Sequence, residues 1–340
     1  MRITKRTLVY SFIITLTFFL LFTLDLPYYI YKPGHADSLE NMVEIENGYQ
    51  GKGDLHLVTV SGGQATPIQY ILAKFMNYNE IVPIEEARPE GMTDNEYMRH
   101  QLMLMENSQQ SSTVVAYRAA GKKYSIEYNG IYIIGVVENM PADEVLEPGD
   151  RITHVDGKQM KEANEMVEYV QMKKDGDKIE LDIDRNGKQM KKTIKVESFA
   201  DQEEKVGIGI QLVTDQEVVV DPPVHIKSGN IGGPSAGLMF SLEIYNRLTE
   251  EDITKGYHIA GTGEIDFDGN VLRIGGIDKK VVAAHREGIE IFFAPNEKGN
   301  KESNYQVAKK TAEQIGTKMK IVPIDTFDDA LAYLNQLEPK

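Results

Sequence analysis

Cysteine is absent from the 340 residues of the chain. The protein therefore cannot use a disulfide framework, a thiolate metal site or a cysteine nucleophile, whatever its compartment. A phosphate-binding loop of the form G-x-x-x-x-G-K-[ST] is also missing, so this sequence offers no P-loop ATPase module. The histidines His225, His258 and His285 lack a metal-ligand spacing such as H-E-x-x-H. Metalloprotease chemistry thus has no support, and neither a metal nor a cofactor is expected.

Positive charge is scarce, with 37 lysines and arginines against 52 acidic residues and a net charge of −15. Nucleic-acid binding depends on lysine and arginine side chains that neutralise phosphates, so polyphosphate partners are disfavoured. The simplest interpretation of the acidity is a soluble surface. The length and the 41% hydrophobic content allow two ordinary folded domains.

The N-terminal region contains one long apolar run, from Leu8 to Leu24, and Leu26 to Tyr31 prolongs it with aromatic residues. A membrane-spanning helix needs about 20 such residues. A cleaved signal peptide is the alternative, but no small-x-small cleavage site precedes Pro33 and Gly34. The run therefore predicts a retained anchor, and the basic residues Arg2, Lys5 and Arg6 predict a cytoplasmic N-terminus with the rest of the chain outside.

In the remainder of the chain the predicted secondary-structure pattern changes twice. Helical and strand patterns alternate up to about residue 121 and again after Val206, which is typical of an α/β layout. Between them lies a segment of short strands with the hairpin dipeptides Asp156-Gly157 and Asn186-Gly187. A β-rich module is therefore expected to be inserted into an α/β domain.

The run from Gly135 to Gly157, GVVENMPADEVLEPGDRITHVDG, carries the central motifs of this module. It closely resembles the corresponding segment of bacterial PDZ domains, which bind extended peptides by adding them to a sheet edge. The resemblance implies a peptide-binding site for a substrate or a regulatory partner. A mere spacer is the alternative.

Residues 229–240 read GNIGGPSAGLMF and precede an apolar helical pattern. Pro234 suits the first turn of a helix, and Ser235 is then expected at the helix N-terminus, beside Gly233. Free backbone amides at such an end favour a developing oxyanion. Taken alone, the pattern also fits a serine that only caps a helix.

A second motif favours a catalytic serine over a serine that only caps a helix. Thr262 begins TGEI, and the run GNVLRIGGIDKK ends at Lys280, 45 residues after Ser235. The stretch from Gly233 to Pro295 resembles the proteolytic domain of the Lon family, with its GPSAG motif and its IGG-xxx-K motif in order. The resemblance implies that Ser235 is the nucleophile and that Lys280, not Lys279, is the base. It also suggests that the hydroxyl of Thr262 orients the lysine amine.

A lysine accepts the proton of a serine only when its amine is neutral, which requires a pKa well below the usual value of about 10.4. Burial has to supply this shift. On a helix beginning at Asp278, Lys280 would lie beside Ile277, Ala283 and Ala284, so its stem can occupy an apolar face.

Two features depart from the ATP-dependent Lon pattern. Gly232 stands where many ATP-dependent members have an acidic residue, three positions before the serine. The site would then lack a carboxylate that could hold the lysine charged. The missing ATPase motor predicts that large folded substrates are not unfolded.

The anchor, the PDZ-like module and the dyad motifs together resemble the Lon-like PDZ-domain peptidases of Gram-positive bacteria. This resemblance implies an ATP-independent serine endopeptidase acting on exported peptides or membrane-proximal proteins, and Lon-type protease domains commonly form rings. The expected fold is an α+β or α/β proteolytic domain with an inserted PDZ domain behind one transmembrane helix. The expected domains are a cytoplasmic N-terminus (1–7), an anchor (8–26), the early protease part (27–121), the PDZ domain (122–197) and the proteolytic domain with the dyad (198–340).

Two other functions fit parts of the sequence. Residues 233–237 also match G-x-S-x-G, the nucleophile motif of α/β-hydrolase esterases, for which His258 or His285 could supply the histidine. Interruptions by Asp221-Pro-Pro223 and Ser228-Gly-Asn230 argue against the strand that should precede such a serine. A non-catalytic PDZ adaptor is the second alternative, although Ser235, Thr262 and Lys280 are all present.

Overall fold

The computed structural model describes residues 5–88, 94–199 and 202–340, and these divide into two compact units. The first unit is discontinuous and combines the chain up to Lys123 with Asp221–Lys340, whereas the second unit is Tyr124–Val220. The sequence places the end of the inserted module at residue 197. The second unit extends further, to Val220. It includes the strand Gln202–Gly207, and the strand Ile210–Asp221 ends at its boundary with the first unit.

Up to Ala119, the described residues form four helices and four strands. They are α1 (Lys5–Thr23), β1 (Tyr28–Ser38), β2 (Val43–Ile45), β3 (Asp54–Gln64), α2 (Pro67–Ala73), β4 (Glu80–Pro83), α3 (Ile84–Ala87) and α4 (Asp94–Ala119). Within the described ranges, no helix is both long enough and apolar enough to cross a membrane. Arg2, predicted to lie on the cytoplasmic side, is outside the described residues.

The described residues of the second unit form strands and one helix. Its elements are β5 (Lys123–Val136), β6 (Arg151–Val155), β7 (Lys158–Gln159), α5 (Ala163–Gln171), β8 (Lys178–Arg185), β9 (Lys188–Lys195), β10 (Glu197–Phe199), β11 (Gln202–Gly207) and β12 (Ile210–Asp221). The main sheet has the order β12-β5-β6-β8-β9, and β10 pairs with β11. A separate core fills this unit, with Ile131, Ile152 and Leu181 fully buried.

The remaining elements complete the first unit. They are β13 (Val224–Ile226), α6 (Gly237–Leu248), β14 (His258–Gly261), β15 (Glu264–Ile265), β16 (Val271–Leu272), α7 (Ile277–Arg286), β17 (Ile291–Pro295), the short 3-10 helix Glu297–Gly299, α8 (Asn304–Ile315), β18 (Lys320–Ile324) and α9 (Phe327–Asn335). The central sheet has the order β18-β17-β14-β3-β1-β4. Strands β3, β14, β17 and β18 run parallel, and β1 is antiparallel to both of its neighbours.

Helices cover the central sheet. Val58, Ala260 and Phe292 point to the side on which α7 and α8 pack. On the other face, Phe293 meets Tyr333 of α9 edge to face, and α6 contacts β3 and β14. Alternate side chains of the buried strands therefore pack against two layers of helices, one on each face of the sheet, as in other α/β folds. This layering positions α6, which follows Ser235, and α7, which carries Lys280.

Candidate active site

Ser235 lies in a turn immediately before α6, not in its first turn. The helix begins at Gly237, with Ala236 as its N-cap, so the sequence-based placement of Pro234 and Ser235 at the helix start is wrong by two to three residues. The reason is that the carbonyl oxygen of Ser235 accepts hydrogen bonds from the amide of Gly263, at 2.9 Å, and from the hydroxyl of Thr262. This carbonyl therefore accepts hydrogen bonds from the segment after β14 and not from an amide of α6.

Helix α4 holds the turn from the other side. The carbonyl of Gln101 accepts from the amide of Gly233 at 2.8 Å, and Ser108 donates to the carbonyl of Pro234 at 2.8 Å. Ser112 donates to the carbonyl of Gly237, also at 2.8 Å. Gly233 has a φ of +86°, a conformation that suits glycine. The hydroxyls of α4 carry no signal in the sequence, because their role depends on contacts more than 120 residues away along the chain.

Lys280 is the fourth residue of α7 and its side chain is 3% exposed. The helix begins one residue earlier than expected, after Gly276 in the left-handed region, and the amide of Lys280 donates to the carbonyl of Gly276. Ile277, Ala283 and Ala284 are also buried. Most of the lysine stem is therefore surrounded by apolar side chains and excluded from water.

The amine of Lys280 contacts two hydroxyl groups. Its Nζ lies 2.6 Å from Ser235 Oγ and 2.9 Å from Thr262 Oγ1. Thr262 itself is fully buried, and its Oγ1 donates to the carbonyl of Ser235 at 2.9 Å. Since that hydroxyl donates its proton to a carbonyl, it faces the lysine amine as an acceptor. The structure thus brings together the three residues that the sequence motifs single out.

Burial lowers the pKa of Lys280 to about 7. No carboxylate opposes this effect, because among the residues described no acidic side chain forms an ion pair with Lys280. Lys279, its neighbour, is also buried but lies 2.7 Å from Glu80 and 3.3 Å from Asp278. Only Lys280 therefore combines contact with the serine and an environment that favours a neutral amine.

A cleft of about 690 Å³ opens onto Ser235 and Lys280. Residues from β1, β3 and α4 line it together with the segment 230–236. In the part of the chain that the structure describes, the backbone amides of Ser235 and Ala236 donate to no protein acceptor. Such amides next to a nucleophile can stabilise an oxyanion, and a cleft of this size admits a peptide segment.

Gly232 is in tight contact with α4. A Cβ atom built there would lie 2.6 Å from the Cβ of Gln101. Real Cβ atoms essentially never come so close, so a side chain at this position requires α4 or the turn to move. The absence of an acidic residue at position 232 therefore fits the local packing.

Neither histidine considered for an esterase is bonded to Ser235 among the described residues. Nδ1 of His258 lies 2.5 Å from Asp54, and His285 is exposed. Strand β13 ends at Ile226, nine residues before Ser235, so no strand leads directly into the serine. The geometry lacks the features of a nucleophile elbow.

Comparison with protein families identifies both parts of the chain. The model of the Lon protease (S16) C-terminal proteolytic domain matches residues 152–336, which is more than half of the chain. A PDZ-domain model matches residues 104–196. Both matches confirm the resemblances seen in the sequence.

Several curated Lon proteases are similar to part of the chain. Lon protease 1 of Myxococcus xanthus is 38% identical over 113 residues, or 33% of this chain and 13% of the relative. The Lon protease of Roseiflexus castenholzii is 33% identical over 133 residues, or 38% of this chain and 15% of the relative. The Lon protease of Aster yellows witches'-broom phytoplasma is 33% identical over 111 residues, or 32% and 13%. The similarity therefore spans only about an eighth of the length of these relatives.

Solved PDZ domains are similar to about a quarter of the chain. The PDZ domain of the SdrC-like protein of Listeria monocytogenes is 35% identical and covers 26% of this chain and 93% of its own, with a TM-score of 0.25. Its counterpart from Listeria innocua is 32% identical and covers 25% and 93%, with a TM-score of 0.23.

The proteolytic-domain match extends over the serine turn, the threonine and the helix that carries the buried lysine. The chain belongs to the family of the Lon protease C-terminal proteolytic domain.

Proposed function

We propose that the protein is an ATP-independent serine endopeptidase that works through a dyad of Ser235 and Lys280. The observation that carries this proposal is the 2.6 Å contact between Lys280 Nζ and Ser235 Oγ, in a site where burial lowers the pKa of the lysine to about 7. A neutral amine at this distance can take the serine proton near neutral pH. The similarity of the domain to Lon proteases supports peptide bonds as the substrate.

The reaction would be acyl transfer in two steps. Lys280 accepts the hydroxyl proton while Ser235 Oγ attacks the peptide carbonyl, and the free amides of Ser235 and Ala236 stabilise the oxyanion. The protonated lysine then passes its proton to the leaving amine. In the second step Lys280 activates a water that hydrolyses the acyl-enzyme, and the serine recovers its proton.

The decisive experiment measures casein and peptide cleavage by the full chain and by the variants Ser235→Ala and Lys280→Ala. Both variants are expected to lose at least about a hundredfold in kcat/KM, the usual contribution of a general base. Lys279→Gln is the matched control, because it removes a neighbouring buried lysine that does not contact the serine. Circular dichroism checks that each variant is folded. Cleavage that survives Lys280→Ala would exclude the dyad.

The second unit is proposed to capture peptides before cleavage. A groove of about 200 Å³ runs between α5 and residues 206–212, and apolar side chains of Met166, Val170 and Ile208 line it. An extended peptide with apolar side chains would fit such a groove by strand addition. Val167→Asp is a suitable test, since Val167 lines the groove and is 42% exposed, so the change spares the core. Unchanged binding of peptides with apolar C-termini, measured by calorimetry, would contradict capture at this groove.

Membrane anchorage by the N-terminal segment is part of the same proposal. It is supported by the uncharged sequence from Leu8 to Leu24 and by exposed apolar side chains on α1, such as Phe12 (67%) and Ile14 (68%). Lys5 and Arg6 favour a cytoplasmic N-terminus, which would leave the catalytic unit outside. Cell fractionation and digestion of intact cells with an added protease test both points. A chain found in the soluble fraction, or one protected from the added protease, would contradict this arrangement.

A further inference from the structure

A cluster of two histidines and one aspartate lies on the central sheet at the start of β3 and β14. Asp54 and His56 point to the same face of β3, and His258 lies directly opposite Asp54 in the parallel register. One ligand atom from each of the three residues falls within 4.8 Å of the other two. Strand pairing thus brings together side chains that lie about 200 positions apart in the chain.

The hydrogen bonds of His56 leave one nitrogen without a partner. Its Nδ1 lies 3.3 Å from the carbonyl oxygen of Ala36 and so carries a proton that it donates there. Its Nε2 is shielded from solvent and makes no hydrogen bond with any described residue, although it lies 3.1 Å from Asp54 Oδ1. In a neutral imidazole this nitrogen holds a lone pair, which would face the negative carboxylate across 3.1 Å. A cation between the two groups turns that repulsion into two favourable bonds.

Asp54 also has no basic partner of the ordinary kind. Within the described ranges, no lysine or arginine forms an ion pair with it, and both of its ionic contacts are with imidazole rings. His258 Nδ1 lies 2.5 Å from the same oxygen, Oδ1. Nitrogen atoms of both imidazoles therefore contact the same carboxylate oxygen, and the carboxylate supplies the negative charge that a divalent cation needs.

We propose that Asp54, His56 and His258 bind a divalent cation, with Zn²⁺ as the best fit. Two imidazole nitrogens and one carboxylate oxygen are ligands that zinc accepts. Ligands about 2.0–2.1 Å from a tetrahedral zinc ion lie roughly 3.3 Å apart, close to the 3.1 Å between His56 and Asp54. His258 Nδ1, 2.5 Å from Asp54 Oδ1, has to move away from this oxygen by about 0.8 Å to match the spacing, and its 57% exposed side chain is free to move. The bond from His56 to the Ala36 carbonyl fixes the ring as second-sphere partners of metal-bound histidines do.

The ion would have a structural role and not a catalytic one. His258 is the first residue of β14, whereas Thr262 follows the last residue of that strand. The site lies away from the serine, at the ends where β3 and β14 begin. Binding would link two strands that are adjacent in the sheet but far apart in sequence. It would raise the free energy of unfolding, because the ion binds the folded chain and not the unfolded one. This inference does not depend on the proposed peptidase activity, and its test needs no substrate.

The test uses the full chain without a polyhistidine tag, in detergent, after treatment with EDTA. Equilibrium dialysis against ZnCl₂ followed by metal analysis gives the stoichiometry, and thermal unfolding with ZnCl₂ or EDTA gives the shift in Tm. We expect one Zn²⁺ per chain and a higher Tm with zinc. His258→Ala should lose both effects and should fold, because its side chain is exposed. His225→Ala, which removes an exposed histidine outside the cluster, should keep both effects.

The visible spectrum of the Co²⁺-loaded chain provides a second readout. Intense d–d bands typical of tetrahedral nitrogen and oxygen coordination are expected for the wild type and for His225→Ala, and their loss for His258→Ala and Asp54→Asn. Zinc uptake by His258→Ala equal to that of the wild type, or no saturable uptake at one ion per chain, would overturn the proposal. In the latter case the cluster is only a hydrogen-bonded His-Asp-His network.

Discussion

The chemistry of the site depends on the environment of a single amine. Lys280 is buried like Lys279, and both lie on α7. Lys279 meets carboxylates, whereas Lys280 meets only the hydroxyls of Ser235 and Thr262. Hydroxyls solvate an amine without favouring its charged form as a carboxylate would. Two adjacent lysines of similar burial thus have different chemical environments because their partners differ.

Activity is expected to depend on pH through Lys280. Only the neutral amine can accept a proton, and burial lowers its pKa to about 7. The value of kcat/KM should therefore rise as the pH increases through about 7 and level off above it. Measuring kcat/KM of a short peptide from acidic to alkaline pH tests this, with Lys279→Gln expected to give the same profile. A profile that falls through this range would indicate a protonated lysine as the active form.

Stability should also respond to the same group. The unfolded chain binds a proton at Lys280 up to its ordinary pKa of 10.5, whereas the folded chain releases it at about 7. Between these values the unfolded state binds more protons, so the free energy of unfolding should rise with pH. Replacing the lysine by an apolar side chain, as in Lys280→Met, should remove this rise. Urea unfolding at several pH values measures the difference between wild type and variant, and equal slopes would contradict a buried neutral lysine.

Thr262 is expected to position the lysine amine. Thr262→Val keeps the shape but removes the acceptor for Lys280 and the donor to Ser235. The loss of the acceptor for the lysine amine, a hydrogen bond of about 1 kcal/mol, predicts a decrease in kcat of roughly fivefold, with a displaced pH profile. Thr262→Ser retains the hydroxyl and should restore most of the activity. If Thr262→Val and Thr262→Ser behave alike, the hydroxyl has no positioning role.

At the scale of elements, α4 and the turn before α6 hold Ser235, the proposed nucleophile, in place. Ser108 and the carbonyl of Gln101 bind this turn, and Ser112 binds the first residue of α6. The side of α6 that faces α4 is equally close, since a Cβ at Gly237 would lie 2.8 Å from Ser108 Oγ. The position of Ser235 is thus set by a helix that contributes no reacting atom.

Substitutions at Gly232 separate packing from charge. Gly232→Ala and Gly232→Asp both place a Cβ against Gln101, so both should lower kcat. Only the aspartate brings a carboxylate into the cleft that Lys280 lines, and it should raise the pKa seen in the pH profile of kcat/KM. Comparing the two profiles measures this. An identical profile for Ala and Asp would assign the whole effect to packing.

Some elements could be predicted from the sequence and others could not. The alternating run from Asp54 predicts β3, and the position of Lys280 on a helix follows from the periodicity around Ile277 and Ala284. The neighbouring β1 contains Pro33 and Gly34, which usually indicate a turn, and the strand accommodates them at an irregularity in its pairing. The start of α6 was misplaced because tertiary hydrogen bonds to Ser235 compete with helical ones. The Asp54 cluster depends on strand register, which linear spacing does not reveal.

At the scale of the whole molecule, the chain enters and leaves the second unit through neighbouring strands. β5 and β12 are adjacent in its sheet, and the amide of Val137 bonds to the carbonyl of Gly209, so the end of one strand meets the start of the other. The two strands are therefore antiparallel, and Lys123 and Asp221 lie at the same end of the sheet. Each unit has its own buried core.

Deleting residues 124–220 and joining Lys123 to Asp221 with a short glycine-serine linker should therefore leave a folded first unit. Hydrolysis of a short peptide should stay within a few fold of the wild type, whereas binding of peptides to the α5 groove disappears. Steady-state kinetics and circular dichroism of the deletion variant test this, with Ser235→Ala in the same background as the blank. A folded but inactive deletion variant would show that the dyad needs the second unit.

The neutral amine beside Ser235 has a consequence for inhibitor chemistry. A boronic acid that adds to Ser235 Oγ becomes a tetrahedral anion, and the displaced proton can pass to Lys280 across 2.6 Å. The product is an ammonium–boronate pair formed in the cleft from a neutral boronic acid and the uncharged form of the dyad. Reagents designed to alkylate a histidine next to the serine find no such ring bonded to Ser235 in the described part of the chain. Sensitivity to boronates together with resistance to histidine-directed reagents would therefore distinguish this site from that of a serine hydrolase with a histidine base.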